Sequence, residues 1–160
     1  MSSPFERFPS LLVLLRPKHW IKNLACFLPV FCAGGPIEKH ELVGAGLAFL
    51  AFCFGASFVY TVNDLADLNR DRLHPQKRLR PLAAGSVGRT DALFVAAGAL
   101  VLCSMLALSL SPSVLGILGT YIATNIWYSL RLKQVAVLDA MMISAGFILR
   151  LAAVSQVSGV

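Results

Sequence analysis

The sequence has few charged residues: Asp, Glu, Lys and Arg make up 14% of 160 residues, and only eight residues are acidic. Soluble domains are usually about 25% charged, and here the hydrophobic fraction is 57%. The four cysteines (Cys26, Cys32, Cys53 and Cys103) show no CxxC spacing, which excludes a typical zinc site or disulfide framework. A water-soluble class is therefore excluded, and the composition is typical of a membrane protein.

Long apolar runs take the place of the missing charges. Residues 42–62 and 92–110 contain no charged residue and match the ~20-residue helix that crosses ~30 Å of hydrocarbon. Further candidates are residues 114–129, 136–154 and 23–35. The last covers only roughly 20 Å as an α-helix, so it could equally be an interfacial or kinked half-helix. We predict an all-α, multi-span bundle of about five helices, forming a single membrane-embedded domain over residues 1–160.

The positive charges alternate along the chain. The segment before the first apolar run and the four segments between the runs contain 4, 1, 6, 0 and 2 Lys or Arg residues in order. The positive-inside bias places the N-terminus, the connector 64–91 and the turn 130–135 in the cytoplasm, provided that the first short segment crosses. We expect a multi-pass protein of the bacterial inner (plasma) membrane. The net charge of +6 therefore indicates topology and not a nucleic-acid partner.

Three of the eight acidic residues lie within one short string, Asn63-Asp64-Leu-Ala-Asp67-Leu-Asn-Arg-Asp71. If the preceding helix continues, Asp64, Asp67 and Asp71 share one helix face at i, i+3 and i+7. Three like charges near a helix C-terminus are unfavourable unless a cation neutralises them. Mg²⁺ suits such a set, since it binds one or two carboxylates together with substrate phosphates. The alternative is a solvated, acidic helix end.

A basic stretch follows the aspartates directly. It contains Arg72, His74, Lys77, Arg78 and Arg80. Guanidinium and ammonium groups beside a Mg²⁺ site are typical of polyphosphate binding. The alternative is that these residues only follow the positive-inside rule, which accounts for the number of cations but not for the adjacent acids.

Four more charged residues lie within or beside the apolar runs. Lys22, Lys133 and Asp139 fall near the cytoplasmic surface and could converge on one cavity, because ionisable residues in membrane segments are usually functional or paired. Arg150 lies further along its helix, and there we predict structural pairing or snorkelling. His19 and His40 have no motif context, and neither is assigned a role.

Three strings resemble a known family. NDLADLNRD, at 63–71, resembles the first aspartate-rich motif, NDxxDxxxD, of the UbiA superfamily of intramembrane prenyltransferases. The continuation DRLHPQKRLRPLAAG, with RPKHWIKN at 16–23 and YSLRLKQVAVLD at 128–139, resembles the branch that transfers phosphoribosyl groups to decaprenyl phosphate. The resemblance implies a bundle of about nine spanning helices around a cavity that faces the cytoplasm.

This resemblance implies an enzyme that moves a 5-phosphoribosyl group from phosphoribosyl pyrophosphate to a polyprenyl (decaprenyl) phosphate, for cell-envelope polysaccharide precursors. By resemblance, Asp64, Asp67 and Asp71 would hold Mg²⁺ and carry catalysis. The substrate-binding residues would be Lys22, Asn63, Arg72, Lys77, Arg80, Tyr128, Lys133 and Asp139. Tyr128 would donate a hydrogen bond, and the lysines would contact phosphate.

The resemblance leaves other activities open. The nearest is a UbiA-type prenyltransferase, which moves a prenyl group from its diphosphate to an aromatic acceptor. A non-enzymatic membrane protein is a different class, although clustering of the charges at one surface argues against it. The family has a second polar motif beyond its sixth helix, so we expect this chain to be an N-terminal portion. A homo-oligomer is a further possibility.

Overall fold

The computed structural model describes residues 11–131 and 136–158, and within these ranges the chain is helical without any β-strand. The elements are a 3₁₀ segment (Pro17–Phe27), α1 (Leu28–Cys32), α2 (Lys39–Ala66), α3 (Leu68–Leu73), a 3₁₀ turn (Lys77–Leu79), α4 (Arg89–Leu110), α5 (Pro112–Arg131) and α6 (Ala136–Ser158). The predicted all-α fold class is confirmed.

Among the described helices, three are long and apolar enough to cross a membrane: Lys39–Ala66, Arg89–Leu110 and Ala140–Val157 within α6. They correspond to the predicted runs 42–62, 92–110 and 136–154, so the expected membrane-protein character is supported. α5 contains the predicted run 114–129. That α5 and the first segment also cross stays a prediction.

The first predicted helix differs most from expectation. In place of an α-helix over 23–35, the chain forms the 3₁₀ segment from Pro17 and then the five residues of α1. A 3₁₀ helix rises ~2.0 Å per residue against ~1.5 Å for an α-helix, so the two elements together extend about 30 Å. The indole Nε1 of Trp20 donates to Ser57 Oγ on α2 at 3.1 Å. Tertiary contacts thus hold a segment whose overall hydrophobicity is low.

Local capping sets two helix starts. At the beginning of α2, the backbone N–H of Glu38 donates to Glu41 Oε2 at 2.9 Å. At the beginning of α5, Ser111 is extended and its hydroxyl oxygen accepts from the backbone N–H of Val114 at 3.1 Å. Pro112 follows at the first helical position, where its missing N–H costs nothing. Ser111 alone therefore separates α4 from α5.

α2 lies at the centre and packs against α4, α5, α6 and the 3₁₀ segment. Its buried face contains Ala45, Ala48 and Ala51, each 0% exposed. Small side chains allow helix backbones to approach closely, which is how helices associate in lipid. Phe52 fills the remaining space and meets the ring of Tyr121 edge-on, with 5.3 Å between ring centroids.

A second buried cluster lies outside this core and holds the connector between α3 and α4. It consists of Leu14, Leu68, Leu82, Val87 and Ala92. These residues come from the stretch before the 3₁₀ segment, from α3, from the connector and from α4. Because Leu82 follows Arg80 by two residues, the cluster also fixes the basic connector beside the aspartates.

Gly44 gives a test of the packing between α2 and α6. A Cβ on Gly44 would collide with the side chain of Val157, whereas a Cβ on Gly46, two residues further along α2, would meet nothing within 4 Å. We expect Gly44→Ala to destabilise the protein by about 1–3 kcal/mol, since the close contact must open. Gly46→Ala should be neutral or stabilising by up to about 1 kcal/mol. Thermal unfolding in detergent measures both, and equal effects would contradict the close contact.

Candidate active site

The aspartates lie where α2 gives way to α3. Asp67 separates the two helices, with φ −89° and ψ 2°. Backbone bonds bridge the break: the N–H of Asp67 donates to the Asn63 carbonyl and the N–H of Asp71 to the Asp67 carbonyl, both at 2.9 Å. The helix is thus interrupted at one residue, which corrects the expectation of a continuous helix. Asp64 and Asp71 nevertheless reach a common partner.

Two arginines bind the buried carboxylates. Asp64 and Asp71 are 4% and 3% exposed. Arg16 Nη2 donates to both oxygens of Asp64, at 2.6 and 2.8 Å. Arg80 Nη1 bridges the two acids, at 3.1 Å from Asp64 Oδ1 and 2.6 Å from Asp71 Oδ2. Guanidinium groups therefore supply the positive charge that the acidic string requires in this structure.

Arg16 reaches Asp64 from an unusual backbone conformation. It is the only non-glycine residue in the described ranges with a positive φ, at 51°. The left-handed region costs an ordinary residue roughly 1–2 kcal/mol, and such residues cluster at functional sites. The guanidinium also lies over the ring of Tyr60, 4.9 Å from its centroid. Sequence reasoning missed Arg16 and Tyr60, although the string RPKHWIKN begins with Arg16.

A cavity of about 320 Å³ opens beside this cluster. It is lined by Arg16, Tyr60, Asn63, Asp64, Asp67, Arg70, Asp71, Lys77 and Arg80. We call it the acidic cavity. The structure therefore brings together most of the predicted donor site, including Lys77 and Arg80. Arg72 is exposed and does not line this cavity, whereas its neighbour Arg70 does.

His19 lies next to these cations. Its ring centroid is 5.2 Å from that of Tyr60. Loss of hydration, together with repulsion from Arg16 and Lys22, lowers the pKa of His19 below its ordinary value. The imidazole is therefore neutral at neutral pH and adds no positive charge to the cluster.

The residues around the acidic cavity fit a hard divalent cation in their donor chemistry. Carboxylate and amide oxygens are ligands that Mg²⁺ prefers, and the buried Oδ1 of Asn63 has no hydrogen-bond partner in the described part of the chain. In the same part, no three His, Cys, Asp or Glu side chains are arranged as a closed metal cluster. A cation here would share its coordination with a ligand and compete with Arg16 and Arg80 for the oxygens of Asp64.

A second cavity, of about 140 Å³, lies between the 3₁₀ segment, α2, α5 and α6. It is lined by Lys22, Tyr60, Tyr121, Asn125, Tyr128, Met142, Ile143, Gly146, Phe147 and Arg150. We call it the aromatic cavity. Tyr60 lines both cavities. The predicted residues Lys22 and Tyr128 thus line the aromatic cavity, which Tyr60 separates from the aspartates.

Three further predictions concern α6 and the turn before it. Lys133 lies outside the described residues, and the side chain of Asp139 is not described, so both stay predictions. Arg150 is 6% exposed and hydrogen-bonds within the bundle. Snorkelling to the membrane surface is therefore wrong for Arg150, and the predicted alternative of internal pairing describes its contacts.

The family follows from comparison with known proteins. A model of the UbiA prenyltransferase family matches residues 23–157, which include the aspartates and every residue that lines the two cavities except Arg16 and Lys22. The chain belongs to the UbiA prenyltransferase family. The fold agrees: a UbiA homologue from Archaeoglobus fulgidus, bound to GPP and Mg²⁺, superposes with a TM-score of 0.76 over 94% of this chain and 54% of its own, at 25% identity.

Two curated relatives are similar to this chain in sequence. The decaprenyl-phosphate phosphoribosyltransferase of Corynebacterium glutamicum is 36% identical over 158 residues, covering 91% of this chain and 45% of the relative. The protein of the same name from Mycolicibacterium smegmatis is 37% identical over 151 residues, covering 92% and 48%. The chain thus spans about half the length of the relatives that it matches.

Proposed function

We propose that this UbiA protein, in its full length, transfers a 5-phosphoribosyl group from phosphoribosyl pyrophosphate to a polyprenyl phosphate. The similarity to two decaprenyl-phosphate phosphoribosyltransferases supports the substrate class. The observation that carries the proposal is the acidic cavity, where buried carboxylates lie among four cations, Arg16, Arg70, Lys77 and Arg80. Carboxylates beside cations suit a metal–diphosphate unit, because the acids can hold the metal while the cations bind the phosphate oxygens.

The diphosphate of the donor would occupy the acidic cavity. Asp64, Asp67 and Asp71 would hold Mg²⁺, with the unpartnered amide oxygen of Asn63 as a further donor. When bound, Mg²⁺ offsets the negative charge that develops on the departing pyrophosphate. The arginines and Lys77 would bind the remaining phosphate oxygens and orient the donor.

The transfer exchanges one bond for another. The bond between the anomeric carbon and the pyrophosphate oxygen breaks, and pyrophosphate leaves with the electron pair. An oxygen of the lipid phosphate forms the new bond to that carbon. Because this oxygen is already anionic, no proton has to be removed by a general base. Stabilisation of the leaving pyrophosphate by positioned cations is therefore the main catalytic contribution of the protein.

The location of the cavity suits two substrates of different solubility. The acidic cavity lies at one end of α2, the most buried of the three described helices that are long and apolar enough to cross a membrane. A soluble donor reaches it from water, while a lipid-bound acceptor arrives from the bilayer. The alternating loop charges favour the cytoplasmic side of the bacterial plasma membrane for this end. Supply of cell-envelope polysaccharide precursors is the corresponding cellular role.

A second candidate is prenyl transfer from a prenyl diphosphate to an aromatic acceptor. The Archaeoglobus fulgidus homologue, which is bound to GPP and Mg²⁺, favours it at 25% identity. Both candidates place a diphosphate on the same acids. They differ in the group from which the diphosphate departs: a charged sugar phosphate in the first candidate and an apolar prenyl chain in the second.

Radiolabelled donors decide between them. We expect the full-length protein with Mg²⁺ to move label from phosphoribosyl pyrophosphate into a polyprenyl phosphate, giving a labelled lipid on extraction. The matched reaction supplies a labelled prenyl diphosphate and an aromatic acid. Label that moves from the prenyl diphosphate into a prenylated aromatic product, with none moved from phosphoribosyl pyrophosphate into lipid, would establish prenyl transfer instead. Heat-treated membranes provide the blank for both.

A further inference from the structure

Arg150 is a buried cation surrounded by neutral groups. It is 6% exposed. Its Nε donates to Asn23 Oδ1 at 2.7 Å and its Nη2 to the Tyr121 hydroxyl at 3.3 Å. The guanidinium carbon lies 5.6, 5.0 and 5.7 Å from the ring centroids of Phe52, Tyr121 and Phe147. These contacts orient the group and leave its full positive charge in place.

No carboxylate pairs with Arg150 among the side chains that the structure describes, where the arginine ion pairs are those of Arg16 and Arg80. A buried charge without an anion is costly, and rings and neutral oxygens offset that cost only in part. Asp64 and Asp71 show the usual solution, a direct ion pair. The guanidinium of Arg150 therefore carries a buried positive charge that a bound anion would neutralise.

The aromatic cavity offers space for such an anion. Arg150 and Lys22 both line it, so two cations face one volume of about 140 Å³. The hydroxyl of Tyr128, also on the wall, is buried and has no hydrogen-bond partner within the described ranges. An unused hydroxyl donor beside two cations is a second, independent sign of an anionic ligand.

Apolar side chains complete the wall and indicate what carries the anion. Met142, Ile143 and Phe147 come from α6, and Ile143 is 51% exposed on the outside of the described bundle. A phosphate at Arg150 would therefore have apolar surface next to it, with hydrocarbon beyond. This suits a phosphate on a hydrocarbon chain better than a free phosphate.

We propose that Arg150, with Lys22 and Tyr128, binds the phosphate of the lipid acceptor in the aromatic cavity. The identity of that lipid as the acceptor rests on the proposed function. Tyr60 lines both cavities, so the acceptor phosphate lies next to the donor site without sharing its cations. Two separate cationic sites keep two polyanionic substrates apart until the donor is oriented.

Binding of short lipids tests this in the full-length protein without any donor. Farnesyl phosphate is the probe, farnesol its neutral counterpart and inorganic phosphate the soluble competitor. We expect the protein to bind farnesyl phosphate about tenfold or more tightly than farnesol. Arg150→Met should remove most of this preference, and Arg150→Lys a smaller part, because a lysine keeps the charge but not the planar donor geometry. Arg89→Met, at an exposed arginine that lines neither cavity, should leave it unchanged.

The outcomes separate this site from the proposed function. A folded Arg150→Met protein with the preference of the original would overturn the inference, as would inorganic phosphate competing as well as farnesyl phosphate. If Arg150→Met does not fold, Arg150→Lys and the exposed Lys22→Gln decide, and an unchanged preference in both overturns it. Lack of phosphoribosyl transfer with Arg150-dependent lipid binding would contradict the proposed function alone.

Discussion

Asp64→Asn is expected to lower turnover by at least about 100-fold while leaving the full-length protein folded and in the membrane. Asp64 is the acid that both Arg16 and Arg80 contact, and it lines the acidic cavity. The amide keeps the shape and one acceptor oxygen for the arginines. It removes the charge that a divalent cation requires, so the diphosphate loses its main counter-ion.

Asp91→Asn is the matched control. Asp91 lies in the first turn of α4 and lines neither cavity, and its amide retains an oxygen to accept from the N–H of Gly88. We expect Asp91→Asn to retain nearly full turnover. Initial rates with saturating phosphoribosyl pyrophosphate and Mg²⁺ measure both variants, with membrane extraction to check insertion. Near-normal rates in Asp64→Asn would return the aspartates to the alternative of a solvated helix end.

The bundle could be predicted where apolar length alone decides the structure. α2 and α4 contain long uncharged runs, and burial of such runs in lipid leaves only a helix to satisfy the backbone. The segment around Pro17 could not be predicted in this way. Its 3₁₀ form depends on contacts such as Trp20 with Ser57, which join residues 37 positions apart. Local pattern carries no information about partners so distant in sequence.

The candidate site was predictable in its residue types but not in its pairing. The spacing of Asp64 and Asp71 indicated one helix face, and both do reach a single guanidinium, that of Arg80. The sequence presented Arg80 only as a phosphate ligand, because charge order along a chain does not show which ions meet. Arg16 was missed for the same reason, since it lies 48 positions from Asp64. For Arg150 the sequence left pairing and snorkelling open, and only the structure shows that neighbouring helices bury it.

This pairing implies that arginine and metal are alternatives at the same oxygens. Arg80 Nη1 is the described partner of Asp71 and one of two partners of Asp64. A guanidinium that leaves the acids when Mg²⁺ binds becomes free to bind the phosphates that arrive with the metal. Arg80 would then stabilise the protein when substrate is absent, and it would bind the substrate's phosphates when substrate is present. The protein must therefore lose folding stability when neither Arg80 nor Mg²⁺ neutralises the buried carboxylates.

Arg80→Gln in metal-free buffer is therefore expected to destabilise the full-length protein by about 2–3 kcal/mol, since it leaves buried carboxylate charge unpaired. Mg²⁺ should recover much of that loss, so that the metal raises the melting temperature of Arg80→Gln by more than that of the original protein. Arg78→Gln removes the same charge from an exposed position two residues away and should show neither effect. Thermal unfolding with and without Mg²⁺ measures all three proteins. Equal Mg²⁺-dependent shifts in the melting temperatures of Arg80→Gln and Arg78→Gln would mean that the metal does not compete for these carboxylates. Loss of Arg80 increases the stabilisation by Mg²⁺ only if the arginine and the metal share the same carboxylate oxygens.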